Sequence, residues 1–164
     1  MSKGTRRDIV LVLIIFLLSS AGTTSVFVGC KILAWIVIVT SDLYLCIVLL
    51  LAALRSDDEG FLDRHSWIAR FFPRKTTGIF VGALLFLAIV SGFAGLYFGT
   101  EVFRSGKTPL DALYISFFTL GFTDYSPKPS YGQLVVMGQL ASGVLLLLAL
   151  FPLLITRIST FKNP

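Results

Sequence analysis

Thr119-Leu120-Gly121-Phe122-Thr123-Asp124 puts two hydroxyls, a glycine and a carboxylate where an apolar helix would otherwise continue. The stretch pairs no nucleophile with a base, so the chemistry open to it is that of backbone and hydroxyl dipoles. At membrane depth such backbone is tolerated only where protein buries it or where it lines a water-filled path. The residues just before it read as a short helix from Pro109 to about Phe118. Thr108 can cap that helix, Pro109 takes its first position, and Asp111 lies where a capping box places its acid. Thr108–Pro127 is therefore expected to form a re-entrant loop between two long apolar segments.

The same residues resemble the pore loop of tetrameric potassium channels, which commonly reads DALYFSFVTLTTVGYGD. Asp111-Ala112-Leu113-Tyr114 matches the opening of that motif, followed by Ser116, Phe117, Thr119 and Leu120. With the flanking apolar runs, the resemblance extends over 77–158. Two departures stand out. The family's TLTTVGYGD is matched by the shorter TLGFTD, a deficit of three residues, or ~4.5 Å if it falls in helix. Thr123 stands in place of the second filter glycine, where a β-branched residue disfavours positive φ. A carboxylate found within the pore helix of many relatives is matched here by Ile115.

The resemblance implies four chains around an axis, a homotetramer, with backbone carbonyls replacing an ion's hydration shell. The ligands it implies are the carbonyls of Thr119, Leu120, Gly121 and Phe122, joined by the Thr119 hydroxyl, with Thr123 completing the filter. Neutral oxygen ligands suit K+ or Na+. Asp124 would support the filter or form an outer acidic ring. The run from Leu134 to Ile155 is similar to the family's cavity-lining helix, with Gly143 and Pro152 as bending points. Phe151 belongs to the apolar lining below Gly143, which could gate by dewetting. Potassium permeation is expected, with selectivity weaker than the family norm. The alternatives are a non-selective monovalent cation channel and a non-conducting membrane subunit of the same fold.

The elements that must position this loop are legible from composition. Of 164 residues, 55% are hydrophobic and 14% charged, against about 25% charged in soluble domains; the mean hydropathy is +0.87. An all-α integral membrane protein is expected, with spans at Ile9–Val28, Ile32–Leu54, Thr77–Gly99 and Leu134–Ile155. Residues 1–56 form an N-terminal two-helix hairpin, 57–76 an amphipathic linker lying in the interface plane, and 77–164 the pore module. Within the third span, Gly78-x-x-x-Gly82 and Gly95-x-x-x-Gly99 allow close helix approach.

Asp42 falls near the middle of the second span. An intramembrane acid needs a partner or water, and the hydroxyls of Ser19, Ser20, Thr23 and Thr24 on the first span are the expected partners. A role for Asp42 as a proton or ion sensor that biases gating is the functional alternative to plain helix packing.

Charge sets the orientation. Lys3, Arg6, Arg7, Arg55, Arg64, Arg70, Arg74, Lys75, Arg157 and Lys162 fall on one side of a four-span chain. Lys31, Arg104, Lys107 and Lys128 fall on the other. This bias predicts cytoplasmic termini and a loop on the outer side, in a cell membrane. The net charge of +5 suits anionic lipid rather than nucleic acid. An enzyme is not expected, since there is no nucleophile–base pair, metal-ligand cluster or Gly-rich phosphate loop. No cofactor is expected beyond bound monovalent cations. Cys30 and Cys46 are too far apart along the second span to pair.

Overall fold

The computed structural model describes the backbone of residues 3–57, 75–100, 102, 108–119 and 127–160, and side chains over 6, 8–51, 77–100, 102, 108–119 and 127–150. Five helices account for nearly all of them: α1 (Lys3–Val28), α2 (Lys31–Asp57), α3 (Lys75–Thr100), α4 (Pro109–Thr119) and α5 (Tyr131–Thr160). No strand occurs among the described residues. Asp8–Val28, Lys31–Leu51, Thr77–Thr100 and Tyr131–Leu150 are each long and apolar enough to cross a membrane. The chain is thus an all-helical integral membrane protein with four candidate spans, as its composition predicts. The 11 residues of α4 extend only ~16 Å, about half of a hydrocarbon core. Most of the expected amphipathic linker 57–76, including His65, lies outside the described residues.

The turn between α1 and α2 is closed by backbone geometry. Gly29 has φ 67°, the left-handed conformation that glycine adopts cheaply at the end of a helix. The Cys30 amide then donates to the Ser25 carbonyl at 3.2 Å, which completes a Schellman cap. The Cys30 carbonyl accepts from the Ala34 amide at 3.1 Å, so α2 begins at once and a helical hairpin results. Cys30 and Cys46 are both free, and Cys46 is exposed on the surface of α2.

α3 is the hub of the bundle, with most of its span buried, whereas only a minor part of each span in α1, α2 and α5 is buried. It can be surrounded because it presents small residues to its neighbours. Gly22 of α1 faces Ser91, and Gly95 of α3 faces Ser25, so closely that a Cβ on either glycine would strike the opposing Oγ. Lower-numbered α1 residues meet lower-numbered α3 residues, so these two helices run parallel. α2 runs the other way: Ala34 lies at Gly95 and Ile38 at Gly92. α5 is antiparallel to α3 as well, with Leu150 against Gly82 and Phe93 near Gly138. Successive long helices therefore alternate in direction, as successive crossings of one bilayer require.

The hydroxyls of α1 turn inward on their own helix. Ser20 donates to the Phe16 carbonyl at 2.9 Å, Thr23 to Ser19 at 3.1 Å, and Thr24 to Ser20 at 2.9 Å. Their hydrogens satisfy carbonyls of the preceding turn, as is usual for such residues within helices.

The glycine contacts carry a stability prediction. Gly95→Val should destabilise the α1–α3 seam by about 1–3 kcal/mol through overpacking. Gly138→Ala, whose added Cβ would sit 3.8 Å from Phe93, should be neutral or stabilising by up to ~1 kcal/mol. Thermal unfolding of both variants in detergent reads the contrast.

Candidate functional site

The short helix α4 is fixed at its start by its own side chains. The Thr108 amide donates to Asp111 Oδ2 at 3.2 Å, and the Asp111 amide donates to Thr108 Oγ1 at 3.1 Å. This reciprocal pair is the capping box expected from the sequence, with aspartate in the usual glutamate position. The helix runs to Thr119, one residue beyond the expected end.

Depth is set by Ser116, whose Oγ donates to the Val90 carbonyl at 2.7 Å. Val90 lies well inside α3, ~15 Å of helix from its end at Thr100. The chain on either side of α4 is held back at that end. The Lys128 amide donates to the Val102 carbonyl at 2.9 Å, and Gly132, at the start of α5, packs against Val102 and Pro127. α4 therefore lies alongside the middle of α3, and Val102 and Lys128, which precede and follow it in the chain, meet near the end of α3.

A buried polar network ties α4 to both long neighbours. Gln139 of α5 donates through Nε2 to the Ser116 carbonyl at 2.7 Å and to Ser116 Oγ at 3.0 Å. The Tyr97 hydroxyl of α3 donates to Gln139 Oε1, and Tyr97 also makes a side-chain hydrogen bond with Thr119. Ser116 and Gln139 are fully enclosed. Around Gln139 every donor faces an acceptor, so its amide orientation is dictated: reversed, its oxygen would face the Ser116 carbonyl. Ring packing supplements the network, with Phe117 edge-on to Phe86 of α3 at 5.9 Å.

No protein-family model, no curated protein and no solved structure matches the chain. The functional reading therefore rests on the sequence and on this geometry.

Of the expected ion ligands, Thr119 is described. Its side chain is 6% exposed, and Oγ1 donates to the Ile115 carbonyl at 2.7 Å, so within one protomer the hydroxyl faces the interior. Leu120, Gly121, Phe122 and Thr123, with the supporting Asp124, lie outside the described residues, between the anchored Thr119 and Pro127. Ile115 is buried among apolar groups. α5 is a single helix through Gly143 and Pro152; the side chains of Phe151 and Pro152 are outside the described set.

Asp42 requires a correction. Its partner is not a hydroxyl of α1 but Ser142 of α5, whose Oγ donates to Asp42 Oδ2 at 2.8 Å. The reason is twofold: Ser20, Thr23 and Thr24 already satisfy their own helix, and α2 packs against α5 as well as against α1 and α3. Asp42 Oδ1 is buried without a hydrogen-bond partner.

Sequence reasoning missed Tyr97, Ser116 and Gln139 as positioning residues. A signal did exist. Gln139 and Ser142 are polar residues inside the apolar run of α5, and buried polar groups need partners.

Loss of the network should be measurable and non-additive. Gln139→Leu should destabilise the fold by about 1–3 kcal/mol, because it removes both the buried donor to the Ser116 carbonyl and the Gln139 acceptor of the Tyr97 hydroxyl. Adding Tyr97→Phe to Gln139→Leu should cost little more, since the two partners act as a unit. A double-mutant cycle on thermal unfolding reads the coupling.

Proposed function

We propose that the chain is one subunit of a tetrameric pore-loop cation channel, permeable to potassium, in which the residues after α4 supply backbone carbonyls to the ion path. The observation that carries this reading is the depth of α4. Ser116 is bonded beside Val90 while Val102 and Lys128 are bonded to each other near the end of α3. A segment that descends beside a spanning helix and returns to the same level is re-entrant. In lipid its irregular backbone has to be enclosed by protein or to line water. One copy cannot enclose a path, so the reading requires several, arranged as a homotetramer.

Surface composition supports self-association. α4 exposes Leu110, Tyr114, Phe117 and Phe118. α5 exposes Leu134, Met137, Ala141, Val144 and Leu148, whose alternating spacing of three and four is that of a helix–helix seam. With Thr119 Oγ1 committed inside the protomer, the carbonyls of Leu120, Gly121 and Phe122 are the principal ligands in this reading, and Thr119 and Asp124 brace them. The termini are cytoplasmic and the loop faces outward, in the cell membrane. No cofactor is needed beyond the conducted monovalent cations.

A second reading, a non-selective monovalent cation channel, is favoured by the shortened TLGFTD and by Thr123. Purified protein in bilayers with potassium on one side and sodium on the other separates the readings. A reversal potential near the potassium equilibrium value is expected, and a current reversing near zero would identify the non-selective pore. Absence of flux in the wild type and in Gly143 or Phe151 variants would mark a non-conducting subunit and overturn the channel reading. Thr123→Gly should move the reversal potential towards potassium. No movement would trace weak selectivity to the three-residue deficit.

A further inference from the structure

We infer that Asp42 and Ser142 form a releasable latch through which the α1–α2 hairpin controls bending of α5. The inference rests on the pore reading only where it concerns conduction. Its structural part stands on three observations.

First, the Ser142 hydroxyl has two acceptors within reach and a single proton. Asp42 Oδ2 is 2.8 Å away on α2, and the Gly138 carbonyl is 3.0 Å away on its own helix. If the bond to Asp42 breaks, the proton stays satisfied by Gly138, so release leaves no orphaned donor. Second, a serine bonded only to its own preceding turn favours a bend in the helix. Ser142 is followed by Gly143, and Gly/Ser pairs are among the few places where helices kink sharply. Third, α2 is not free to follow α5. Ala34, Val37 and Ile38 seat it on Gly92 and Gly95 of α3, and α1 locks onto α3 through Gly22 and Gly95. The hairpin is thus a fixed post, and the latch joins that post to the Ser142–Gly143 bending site of α5.

The asymmetry lies in the acceptor. Asp42 already has one buried oxygen without a partner, so losing Ser142 leaves both unsatisfied. That penalty favours the latched, straight helix. A hydrogen bond to a carboxylate contributes about 1.5–3 kcal/mol, so its removal should shift the straight-to-bent ratio by about tenfold or more.

The test uses the full chain in lipid nanodiscs, with Cys30 and Cys46 replaced by serine and spin labels at Gln133→Cys and Leu147→Cys. Both positions are exposed on α5 beside the Leu134–Leu148 stripe and lie ~21 Å apart along a straight helix. Labelled chains are diluted with unlabelled ones so that each reports its own bend. The latched protein should give one narrow distance. Asp42→Ala should add a shorter population, whereas Asp42→Asn, which keeps an acceptor for Ser142, should stay narrow. Gly143→Ala in the Asp42→Ala background should restore the narrow distance. Unchanged distances in Asp42→Ala, or equal behaviour of Asp42→Asn and Asp42→Ala, would overturn the latch. In bilayers the released variant should change open probability about tenfold and leave the permeability ratio alone. A conducting protein whose bend changes without its open probability would overturn the control of conduction. Changed distances without flux in any variant would leave the latch standing and remove the channel reading instead.

Discussion

The side-chain amide of Gln139 is the point at which α3, α4 and α5 meet. In an apolar interior an amide, a hydroxyl or a carbonyl without a partner is strongly disfavoured. The only arrangement that satisfies Gln139 here places Tyr97 on one side and Ser116 on the other. Because Ser116 also donates to Val90, the depth of α4 beside α3 is fixed by hydrogen bonds with defined lengths and directions. Apolar packing alone would let an eleven-residue helix slide or rotate. Whatever α4 presents at its end inherits its position from this junction.

The junction in turn requires α3 to lie in the middle of the bundle. Four helices can surround one only if their axes approach closely, and α3 allows this by placing Gly82, Ser91, Gly92 and Gly95 at successive contacts. Association in lipid lacks the hydrophobic drive available in water, so such close fits carry much of the stability. The same fits set direction. Matching Gly22 with Ser91 and Ser25 with Gly95 holds α1 parallel to α3, and the short Gly29 turn obliges α2 to be antiparallel. Topology and packing are therefore one constraint, expressed in small residues.

Much of this is legible in the sequence because it is local. The four spans follow from hydropathy, the α1–α2 turn from Gly29, and the start of α4 from Thr108, Pro109 and Asp111, all decided within a few residues. Partners across the bundle are not local, and there the reading of Asp42 failed. The hydroxyls of α1 stand at a suitable depth, yet they bond to the preceding turn of their own helix. The true partner, Ser142, is far away in the chain and reachable only once α5 has packed beside α2. Tyr97, Ser116 and Gln139 escaped for the same reason, although a glutamine in an apolar run announces that a partner exists somewhere. The inward turn of the Thr119 hydroxyl was equally hidden, since it depends on which face of α4 meets α3.

What is left exposed bears on how copies of the chain would meet. The outward faces of α1 and α2 carry aliphatic and aromatic side chains, among them Phe16, Trp35 and Leu43, a surface that lipid tails can cover. α4 differs. Tyr114 and Phe118 already stack at 4.4 Å, and Phe117 meets Phe118 at 5.6 Å, so the exposed side of α4 is a preorganised aromatic ridge. α5 adds an ordered stripe from Leu134 to Leu148. Rigid ridges lose little conformational entropy when a second protein surface covers them, unlike flexible side chains that must be ordered on contact. Copies joined through α4 and α5 would bring the residues after Thr119 towards a common axis and leave the α1–α2 hairpins to lipid. Copies joined through the hairpins would leave the aromatic ridge uncovered and expose the short helix α4, with its unmatched length, to hydrocarbon. The first arrangement covers the ridge and shields the short helix; the second does neither.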